Sequence, residues 1–359
     1  MHRGIGTPVK NTIPEKELKN VLLIDGSYGE GGGQIVRTAV ALSVLTKQPI
    51  TITNIRANRP IPGLRPQHYT ALSCIQRICD AEVEGVSVHS TSLKFTPHDI
   101  KPGTYTFDIG TAGSMTLVFQ ACLLSAFHAS TPLTIKLRGG SDVRWAPSWD
   151  YFASVFLPLI STIGIKTETL LIKRGYYPTG GGEAILTIYP VEKLISFHGE
   201  EPQNFTDIHG IIHRANLPDH ISMRMKHAAI KIAMKHNLRS TLQIDAASSS
   251  SSGTGITLWS ASGPTILGSS VLGEKTISAE EIGETAANQL IQEITSGATI
   301  DRYAIDQILP YFVLAPKGSA CLTREISNHT KTNMWLIKQF FNVDFEVTPQ
   351  QAAIRIVVK

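Results

Sequence analysis

The chain has 359 residues, of which 42% are apolar and 17% charged, and a formal net charge of +4. This length and composition are typical of a soluble protein with about two domains. They exclude a membrane span, because no apolar run reaches the roughly 18 residues needed to cross a bilayer. Residues 1–20 lack the apolar centre of a secretion signal, so we predict a cytoplasmic protein with no membrane partner. The modest positive charge argues against a protein that coats nucleic acid but permits binding to one phosphorylated end.

The first half of the chain contains the same predicted order of elements twice: a helix, a strand, a second helix and two strands. Apolar periodicity places the first set at 34–45, 49–56, 67–79, 82–88 and 93–95. It places the second set at 114–127, 133–138, 149–163, 166–172 and 183–189. Four cysteines accompany these and later elements without a CxxC pair or a familiar zinc spacing, and we expect buried free thiols.

About 100 residues then break the pattern and predict an inserted α/β domain. Its elements are a strand at 208–213, a helix at 220–236, strands at 241–246, 255–261 and 265–272, and a helix at 279–294. Ser278 precedes Glu280 and Glu281 and is expected to cap the last helix. The serine tract 248–252 is predicted to be a flexible hairpin loop between two of the strands.

The order seen twice before returns near the carboxyl terminus, with elements at 303–314, 319–324, 330–341, 344–347 and 353–358. We therefore predict an α/β fold with a large domain of three repeated units (helix-strand-helix-strand-strand) and a smaller inserted α/β domain. The predicted boundaries are 1–20 for an N-terminal extension, 21–189 and 290–359 for the large domain, and 190–289 for the insert.

The motif GEGGGQ at 29–34 lies between a strand-like run and the first helix. It is neither a P-loop nor a dinucleotide fingerprint, because no Lys-Ser or Lys-Thr follows and the third glycine is missing. Consecutive glycines allow close approach of a ligand, and a helix start attracts anions, but Glu30 would repel a phosphate. Either a divalent metal lies between Glu30 and a polyphosphate, or the loop is a tight turn with Glu30 in water. A second glycine cluster, 178–186, is interpreted as a turn between two strands.

The connection IRANRPIPGLRPQH places Arg56, Arg59 and Arg65 in one Pro/Gly-rich segment. Arginine binds phosphate oxygens through paired N–H donors, and prolines reduce the ordering entropy lost on binding. We therefore interpret the segment as a phosphate-binding loop, the alternative being a solvated basic loop.

Two histidines occupy equivalent places in the repeat. His68 stands at the start of the second helix of the first unit, and His329 stands at the start of the second helix of the third. Either could be a nucleophile or a phosphate ligand, and periodicity does not choose between them.

Six motifs together point to one family: IDGSYGEGGGQIVRTAVALS, IRANRPIPGLRPQH, GTAGSMTLVFQ, RGYYPTGGGE, YAIDQILP and SNHTKTN. In this order they resemble the RNA 3′-terminal phosphate cyclase family, over nearly the whole chain after about residue 21. The family's fold, three related units with a small inserted α/β domain, agrees with the repeat.

The resemblance implies ATP-dependent conversion of an RNA 3′-phosphate to a 2′,3′-cyclic phosphate. A histidine attacks the α-phosphorus of ATP, AMP passes to the RNA 3′-phosphate to give RNA(3′)pp(5′)A, and the neighbouring 2′-OH displaces AMP. The expected co-substrate is ATP, with Mg²⁺ or Mn²⁺ as divalent metal. The expected partner is RNA with a 3′-phosphate end, and the oligomeric state is left open.

The resemblance also assigns roles to matching residues. His329 takes the nucleophile's place, and Glu30 matches the carboxylate near the metal. The residues matched to ATP binding are Gln120, Tyr303, Ala304, Ile305, Asp306 and Gln307. Those matched to phosphate or RNA-end binding are Arg37, Arg56, Arg59, Gln67 and His68.

Two other functions remain open from the sequence. One branch of the family keeps the fold without the histidine and serves as a non-catalytic RNA-binding ribosome-biogenesis factor; the presence of His329 favours the enzyme. A metabolic transferase built on related repeats would need a small anionic substrate in place of RNA.

Overall fold

Residues 21–359 are described by the structure, a computed structural model. The predicted N-terminal extension, residues 1–20, lies outside the described residues. Four separate four-stranded sheets organise the rest of the chain. Three of them have equivalent topology, and the fourth belongs to the insert.

The first unit begins with a short strand, at the strand-like run that precedes the glycine motif. Its elements are β1 (Leu22–Asp25), α1 (Gly33–Thr46), β2 (Ile50–Thr53), α2 (Pro66–Cys79), β3 (Glu82–Glu84) and β4 (Leu93–Thr96). The sheet order is β1-β2-β4-β3, with β1 parallel to β2 and the remaining pairs antiparallel. The glycine motif therefore connects a parallel strand to the helix that crosses over the sheet.

The second unit repeats this topology. Its elements are β5 (Thr104–Asp108), α3 (Met115–Ala126), β6 (Leu133–Gly139), α4 (Trp149–Tyr151), a π-helical turn (Phe152–Phe156), α5 (Leu157–Ser161), β7 (Thr167–Lys173) and β8 (Gly182–Ile188). The order is β5-β6-β8-β7, and β5 is parallel to β6. The second glycine cluster forms the turn between antiparallel β7 and β8, as predicted.

The third unit begins with β9 (His198–Gly199), and the inserted domain follows this strand. The insert contains β10 (Asp207–Ala215), α6 (Asp219–Lys235), β11 (Arg239–Ala247), β12 (Gly253–Ser262), β13 (Thr265–Leu272) and α7 (Ala279–Thr295). Ser278 caps α7 by accepting a hydrogen bond from the Glu281 N–H. The predicted boundary at 289/290 falls inside α7, whose Leu290 and Ile291 pack in the insert's own hydrophobic core.

The hairpin predicted at the serine tract is wrong. The insert's sheet has the order β11-β10-β12-β13, so β10 lies between the two strands that the tract joins. Strand β10 is parallel to β11 and antiparallel to β12. Adjacent strands along the chain were assumed to be neighbours in the sheet, and here the tract instead crosses the end of β10.

After the insert the third unit resumes with α8 (Ala304–Leu314), β14 (Ala320–Thr323), α9 (Asn328–Phe340), β15 (Phe345–Gln350) and β16 (Ala353–Val358). Its sheet order is β9-β14-β16-β15, with β9 parallel to β14. The mixed α/β fold of repeated units with an inserted domain is confirmed. Each unit has one strand more than the predicted repeat of elements, because a strand precedes the first helix in every unit.

Helices from all three units meet in one hydrophobic core. Helix α1 packs against α3 of the second unit and α9 of the third. Large side chains such as Phe95, Phe119 and Tyr311 are almost completely buried in this shared core. Burial of each such side chain stabilises the fold by roughly 1.5–3 kcal/mol. The packing fixes the starts of α1, α2 and α9 relative to one another.

A buried ion-pair cluster joins the insert to the second unit. Arg174, only 3% exposed, contacts Asp142 at 3.0 Å, Asp150 at 2.9 Å and Asp245 of the insert at 2.7 Å. His213 of the insert lies 3.4 Å from Asp142. Within residues 21–359, Asp142, Asp150 and His213 are the one group of three metal-type ligands close enough together to hold an ion. Arg174 supplies the positive charge there.

All four cysteines are free and buried, as expected. Among residues 21–359, no helix combines the length and the apolar character needed to cross a membrane.

Candidate active site

The glycine loop between β1 and α1 contacts the third unit directly. Gly29 and Gly31 have φ angles of 59° and 55°, which residues with a Cβ rarely adopt. A methyl group at Gly29 would lie 2.5 Å from Thr332 Oγ1. Beside it, the Tyr28 and Trp335 rings stack with centroids 3.9 Å apart. The loop of the first unit is therefore fixed against α9.

His329 lies in the first turn of α9 and is held by Gln34. The imidazole Nδ1 is 2.6 Å from Gln34 Oε1. The Gln34 amide nitrogen donates to the His329 carbonyl oxygen at 3.3 Å and to Asp306 Oδ2 at 3.4 Å. Because the amide nitrogen faces two oxygens, Oε1 is the atom that faces the ring, and Nδ1 carries the proton. Nε2 is therefore the ring nitrogen that Gln34 leaves free.

The free edge of His329 faces Glu30. Nε2 lies 3.3 Å from Glu30 Oε2, and Arg59 Nη2 lies 3.2 Å from the same oxygen. The His329 side chain is 46% exposed, so a ligand in solution can reach Nε2. The glycine loop, the arginine loop and α9 thus place a carboxylate, a guanidinium and an imidazole together.

Arg37 and Asp306 lie close to this group on its interior side. Burial lowers the pKa of Arg37 to about 10, and the nearby Asp306 carboxylate opposes that effect. Burial raises the pKa of Asp306 to about 7, with Arg37 acting in the opposite direction and Asp301 in the same direction. The amide of Asn333 donates to the Asp306 carbonyl oxygen. These contacts connect α1, α8 and α9 behind His329.

His68 has a different environment from His329, although the repeat makes them equivalent. It is only 4% exposed, and its Nδ1 accepts a hydrogen bond from the Arg65 N–H at 3.1 Å. A methyl group at Gly33 would lie 2.0 Å from His68 Nε2, so only glycine fits there. Burial holds the pKa of His68 well below its usual range, and the charges of Arg37 and Arg56 add to this effect. His68 is neutral and packed beneath the glycine loop.

The side chains of Arg56 and Arg59, in the arginine loop, have different roles. Arg56 Nη1 donates to the carbonyl oxygens of Ile61 and Gly63 at 2.8 and 2.9 Å, so its guanidinium closes its own loop. Arg59 instead reaches Glu30. Gln67 Oε1 accepts from the Ser114 N–H at 3.0 Å, which connects the loop to the start of α3.

Gln120, Tyr303 and Gln307 form a row of contacts between α3 and α8. The amide nitrogen of Gln120 contacts Gln307 Oε1, and Gln307 Nε2 donates to the Tyr303 carbonyl oxygen at 2.5 Å. Tyr303 is 41% exposed, and the guanidinium carbon of Arg302 lies 5.1 Å from its ring centroid. An exposed ring beside amide groups suits an aromatic base with polar edges.

Ala304 and Ile305 follow Tyr303 but point elsewhere. Both side chains are completely buried in the shared core. Successive residues of a helix point in different directions, so a continuous motif cannot place all its side chains on one surface.

The structure thus brings together Glu30, Arg37, Arg59, Asp306 and His329, and places Gln120, Tyr303 and Gln307 in a second group. Sequence reasoning missed Gln34 and Asn333. Gln34 ends the glycine motif, and this position was the one signal that could have identified it. Its partner lies 295 residues further along the chain, which no local pattern reveals.

A divalent ion at Glu30 would have one protein carboxylate. Mg²⁺ commonly binds one or two carboxylates and takes its remaining ligands from phosphate oxygens and water. The half-buried, solvent-accessible Glu30 fits that donor set, with Arg59 and His329 as its present partners.

Comparisons with known proteins agree over most of the chain. The family model described as RNA 3′-terminal phosphate cyclase matches residues 28–347. A protein named RNA 3′-terminal phosphate cyclase from Methanosarcina barkeri (strain Fusaro / DSM 804) is 41% identical over 338 residues, covering 94% of this chain and 100% of the relative. Proteins of the same name from Pyrococcus furiosus and Nitrosospira multiformis are each 40% identical, with 94% of this chain covered and 99% and 96% of the relatives.

The resemblance drawn from the six motifs is confirmed by these matches. The family model covers the glycine loop, the arginine loop and the His329 segment alike. The chain therefore belongs to the RNA 3′-terminal phosphate cyclase family.

Proposed function

We propose that this protein converts an RNA 3′-terminal phosphate to a 2′,3′-cyclic phosphate at the expense of ATP, with His329 as the nucleophile. Family membership and the names of the relatives support the overall reaction. The single observation that supports His329 as the nucleophile is the contact between its Nδ1 and Gln34 Oε1. It occupies Nδ1 and leaves Nε2 as the ring nitrogen that faces the exposed side of the site, next to Glu30.

The comparison with His68 supports the same choice. A nucleophile needs an accessible lone pair, and a neighbouring hydrogen bond that orients the ring. His329 has both. His68 has its Nδ1 lone pair bonded to the Arg65 N–H and its Nε2 packed near Gly33, so it cannot reach a phosphorus atom without movement of the loop.

The proposed reaction has three steps. His329 Nε2 attacks the α-phosphorus of ATP; an N–P bond forms, the bond to the bridging oxygen breaks, and pyrophosphate leaves. An oxygen of the RNA 3′-phosphate then attacks the same phosphorus, the N–P bond breaks, and His329 is neutral again. Finally the 2′-OH attacks the 3′-phosphorus, loses its proton, and displaces AMP. The last step is fast for a neighbouring hydroxyl because the ring closes within one nucleotide.

Each step takes place on a chain of linked or adjacent phosphate groups, so positive charge must be concentrated in the site. Arg59 lies beside Glu30, Arg37 lies one turn into α1, and the first amide groups of α1 add their partial positive charge. Glu30 would hold a Mg²⁺ or Mn²⁺ ion that neutralises the polyphosphate when bound. Tyr303 offers a ring face to the adenine, and Gln120 and Gln307 offer amide groups nearby.

The test is covalent labelling with ATP carrying a radioactive α-phosphate, in the presence of Mg²⁺ or Mn²⁺. Wild type should take up one acid-labile, alkali-stable label, and His329→Ala should take up none. His68→Asn is the matched control, since it removes the equivalent histidine of the repeat and should keep measurable label. Label that persists in His329→Ala, or no label on wild type, contradicts the proposal.

A second assay follows the RNA. An oligonucleotide with a 3′-phosphate should gain a cyclic end in an ATP-dependent way, and one whose terminal 2′-OH is replaced by hydrogen should stop at the adenylylated RNA. RNA binding without any label would instead support the non-catalytic assembly factor.

A further inference from the structure

Two aromatic side chains of the second unit are exposed to an unusual degree. Trp145 is 94% exposed and Tyr177 is 78% exposed, although both side chains have large apolar surfaces. Trp145 lies at the tip of the turn that follows β6, and Tyr177 lies at the tip of the turn that follows β7. Most tryptophan side chains bury the greater part of their surface. Full exposure removes any packing reason for a tryptophan at this position.

The backbone conformation at Trp145 is also unfavourable for a large side chain. Its φ angle is 60°, in the left-handed region that bulky residues seldom occupy. Glycine or asparagine would fit this conformation with less strain. Backbone strain of this kind tends to be concentrated where a side chain has a functional role.

The two turns are neighbours in space, and backbone hydrogen bonds hold their bases together. Asp142 and Tyr176 form a parallel bridge, and the Ser141 and Asp142 N–H groups both donate to the Gly175 carbonyl oxygen. Trp145 is three residues beyond one side of the bridge and Tyr177 is one residue beyond the other. With about 5 Å across a bridge and 3.8 Å between consecutive Cα atoms, the two tips are within roughly 20 Å of each other. A few nucleotides of a single strand can cover this span.

Contacts with the insert and with α3 also fix the base of the Trp145 turn. Arg144, beside Trp145, forms an ion pair with Glu274 of the insert at 2.7 Å. The Thr116 hydroxyl donates to the Pro147 carbonyl oxygen at 2.8 Å. The exposed ring is thus carried by a well-anchored turn.

The same edge of the second unit leads to the candidate active site. The turn that bears Tyr177 packs on the loop before α3, since a methyl group at Gly180 would lie 2.7 Å from the Thr111 carbonyl oxygen. At the end of that loop, Ser114 bonds to Gln67, the neighbour of His68. A strand whose 3′ end lies among the arginines can therefore continue over the second unit.

We propose that Trp145 and Tyr177 form a stacking surface for nucleobases of the RNA upstream of its 3′-phosphate. This inference rests on the proposed function, since it takes RNA as the substrate. Exposed aromatic rings recognise unpaired bases by stacking, which tolerates any base sequence. The surface accounts for binding to a single-stranded end by a chain whose net charge is only +4. Affinity that comes from stacking depends less on salt than affinity from phosphate contacts.

The test measures the Kd of a single-stranded RNA of about ten nucleotides with a 3′-phosphate, without ATP, for wild type and three variants. Trp145→Asn should raise the Kd about tenfold, because stacking contributes this much per base. Its melting temperature should not fall, since asparagine tolerates the left-handed backbone, so weaker binding cannot be ascribed to unfolding. Trp145→Tyr should retain most of the affinity. Met234→Ala, at a residue of the insert that is 68% exposed, is the control and should leave the Kd unchanged.

Two further measurements separate this inference from the proposed reaction. An RNA with abasic sites upstream of its end should bind wild type more weakly and bind Trp145→Asn with little further loss. Covalent labelling by ATP should be unchanged in Trp145→Asn. An unchanged Kd in that variant, or no RNA binding by wild type, overturns the stacking surface and leaves labelling as an independent test of His329. A loss of labelling with normal RNA affinity also overturns it, because Trp145 would then act on ATP.

Discussion

Gln34 Oε1 and His329 Nδ1 lie 2.6 Å apart, although 295 positions separate them in the chain. The contact joins the last residue of the glycine motif to the first turn of α9. Asp306 accepts from the other end of the same amide group, so Gln34 cannot rotate without losing a second hydrogen bond. The orientation of the imidazole is therefore set by a residue of a different repeat unit.

Replacement of Gln34 should slow the proposed transfer of AMP from ATP to His329. In Gln34→Ala the ring can rotate and adopt either tautomer, and a misplaced nucleophile costs up to about 100-fold in rate. We expect the single-turnover rate of labelling to fall by about ten- to a hundredfold, with a smaller change in the ATP concentration for half-maximal rate. Gln339→Ala, on the exposed side of α9, is the control. Equal rates for Gln34→Ala and wild type would show that Gln34 does not orient His329.

Gly33→Ala should destabilise the fold, because the added methyl group would clash with His68. Alanine is normally favoured over glycine within a helix by about 1 kcal/mol. Here the added methyl group would lie 2.0 Å from His68 Nε2, so we expect a net loss of stability of about 1–3 kcal/mol, measured by urea unfolding. The double variant Gly33→Ala/His68→Ala should be less affected than the sum of the two single changes. Simple additivity would contradict this explanation.

Removal of Arg174 should destabilise the junction between the second unit and the insert. Arg174→Ala leaves Asp142 and Asp150 buried without a compensating charge, which costs about 3–5 kcal/mol of unfolding free energy. Arg224→Ala breaks an exposed pair with Glu280 and should have no measurable effect on the midpoint of urea unfolding. Similar midpoints for the two variants would mean that the buried cluster does not hold the insert.

The free energy of unfolding should depend on pH through the ionisation of Glu293. This residue is 3% exposed; burial, reinforced by Asp301, raises the pKa of its carboxyl from about 4.5 to about 7, with Arg324 opposing the shift. Its Oε2 has no hydrogen-bond partner among the described residues. Between pH 4.5 and 7 the folded state therefore binds more protons than the unfolded chain, and stability falls as pH rises.

Glu293→Gln replaces the titrating carboxyl group with an amide and should remove this pH dependence of the free energy of unfolding. The difference in unfolding free energy between the variant and wild type should shift by about 1–3 kcal/mol in favour of the variant from pH 5 to pH 8. Urea unfolding at several pH values measures the difference. A constant difference across the range would show that Glu293 is ionised throughout.

Much of the fold could be predicted from the sequence because helix periodicity is a strong local signal. The first helix was expected at 34–45 and runs from Gly33 to Thr46, and its counterparts agree similarly. Two of the three leading strands, β5 and β9, were not predicted. Strand β9 has only two residues, too few to show alternation, and its parallel neighbour β14 identifies it. Strand β5 alternates over five residues but was not part of the predicted pattern.

The candidate site was less predictable because its contacts are not local. Three arginines in one loop gave no indication that Arg56 closes its own backbone while Arg59 reaches Glu30. Two histidines with equivalent positions differ through burial, which is set by the tight packing of His68 near Gly33. The roles of individual residues in binding ATP and RNA remain predictions.

The position of the insert bears on how the chain folds during synthesis. Strand β9 must wait until about 120 further residues have emerged before β14 is available to pair with it. Closing so long a loop is slow and entropically costly when the intervening chain is unstructured. The insert has its own core, and its strand β13 contacts the chain just before α8, where Ile266 bridges Ile300. Early folding of the insert would therefore hold the two separated parts of the third unit together before its sheet is complete.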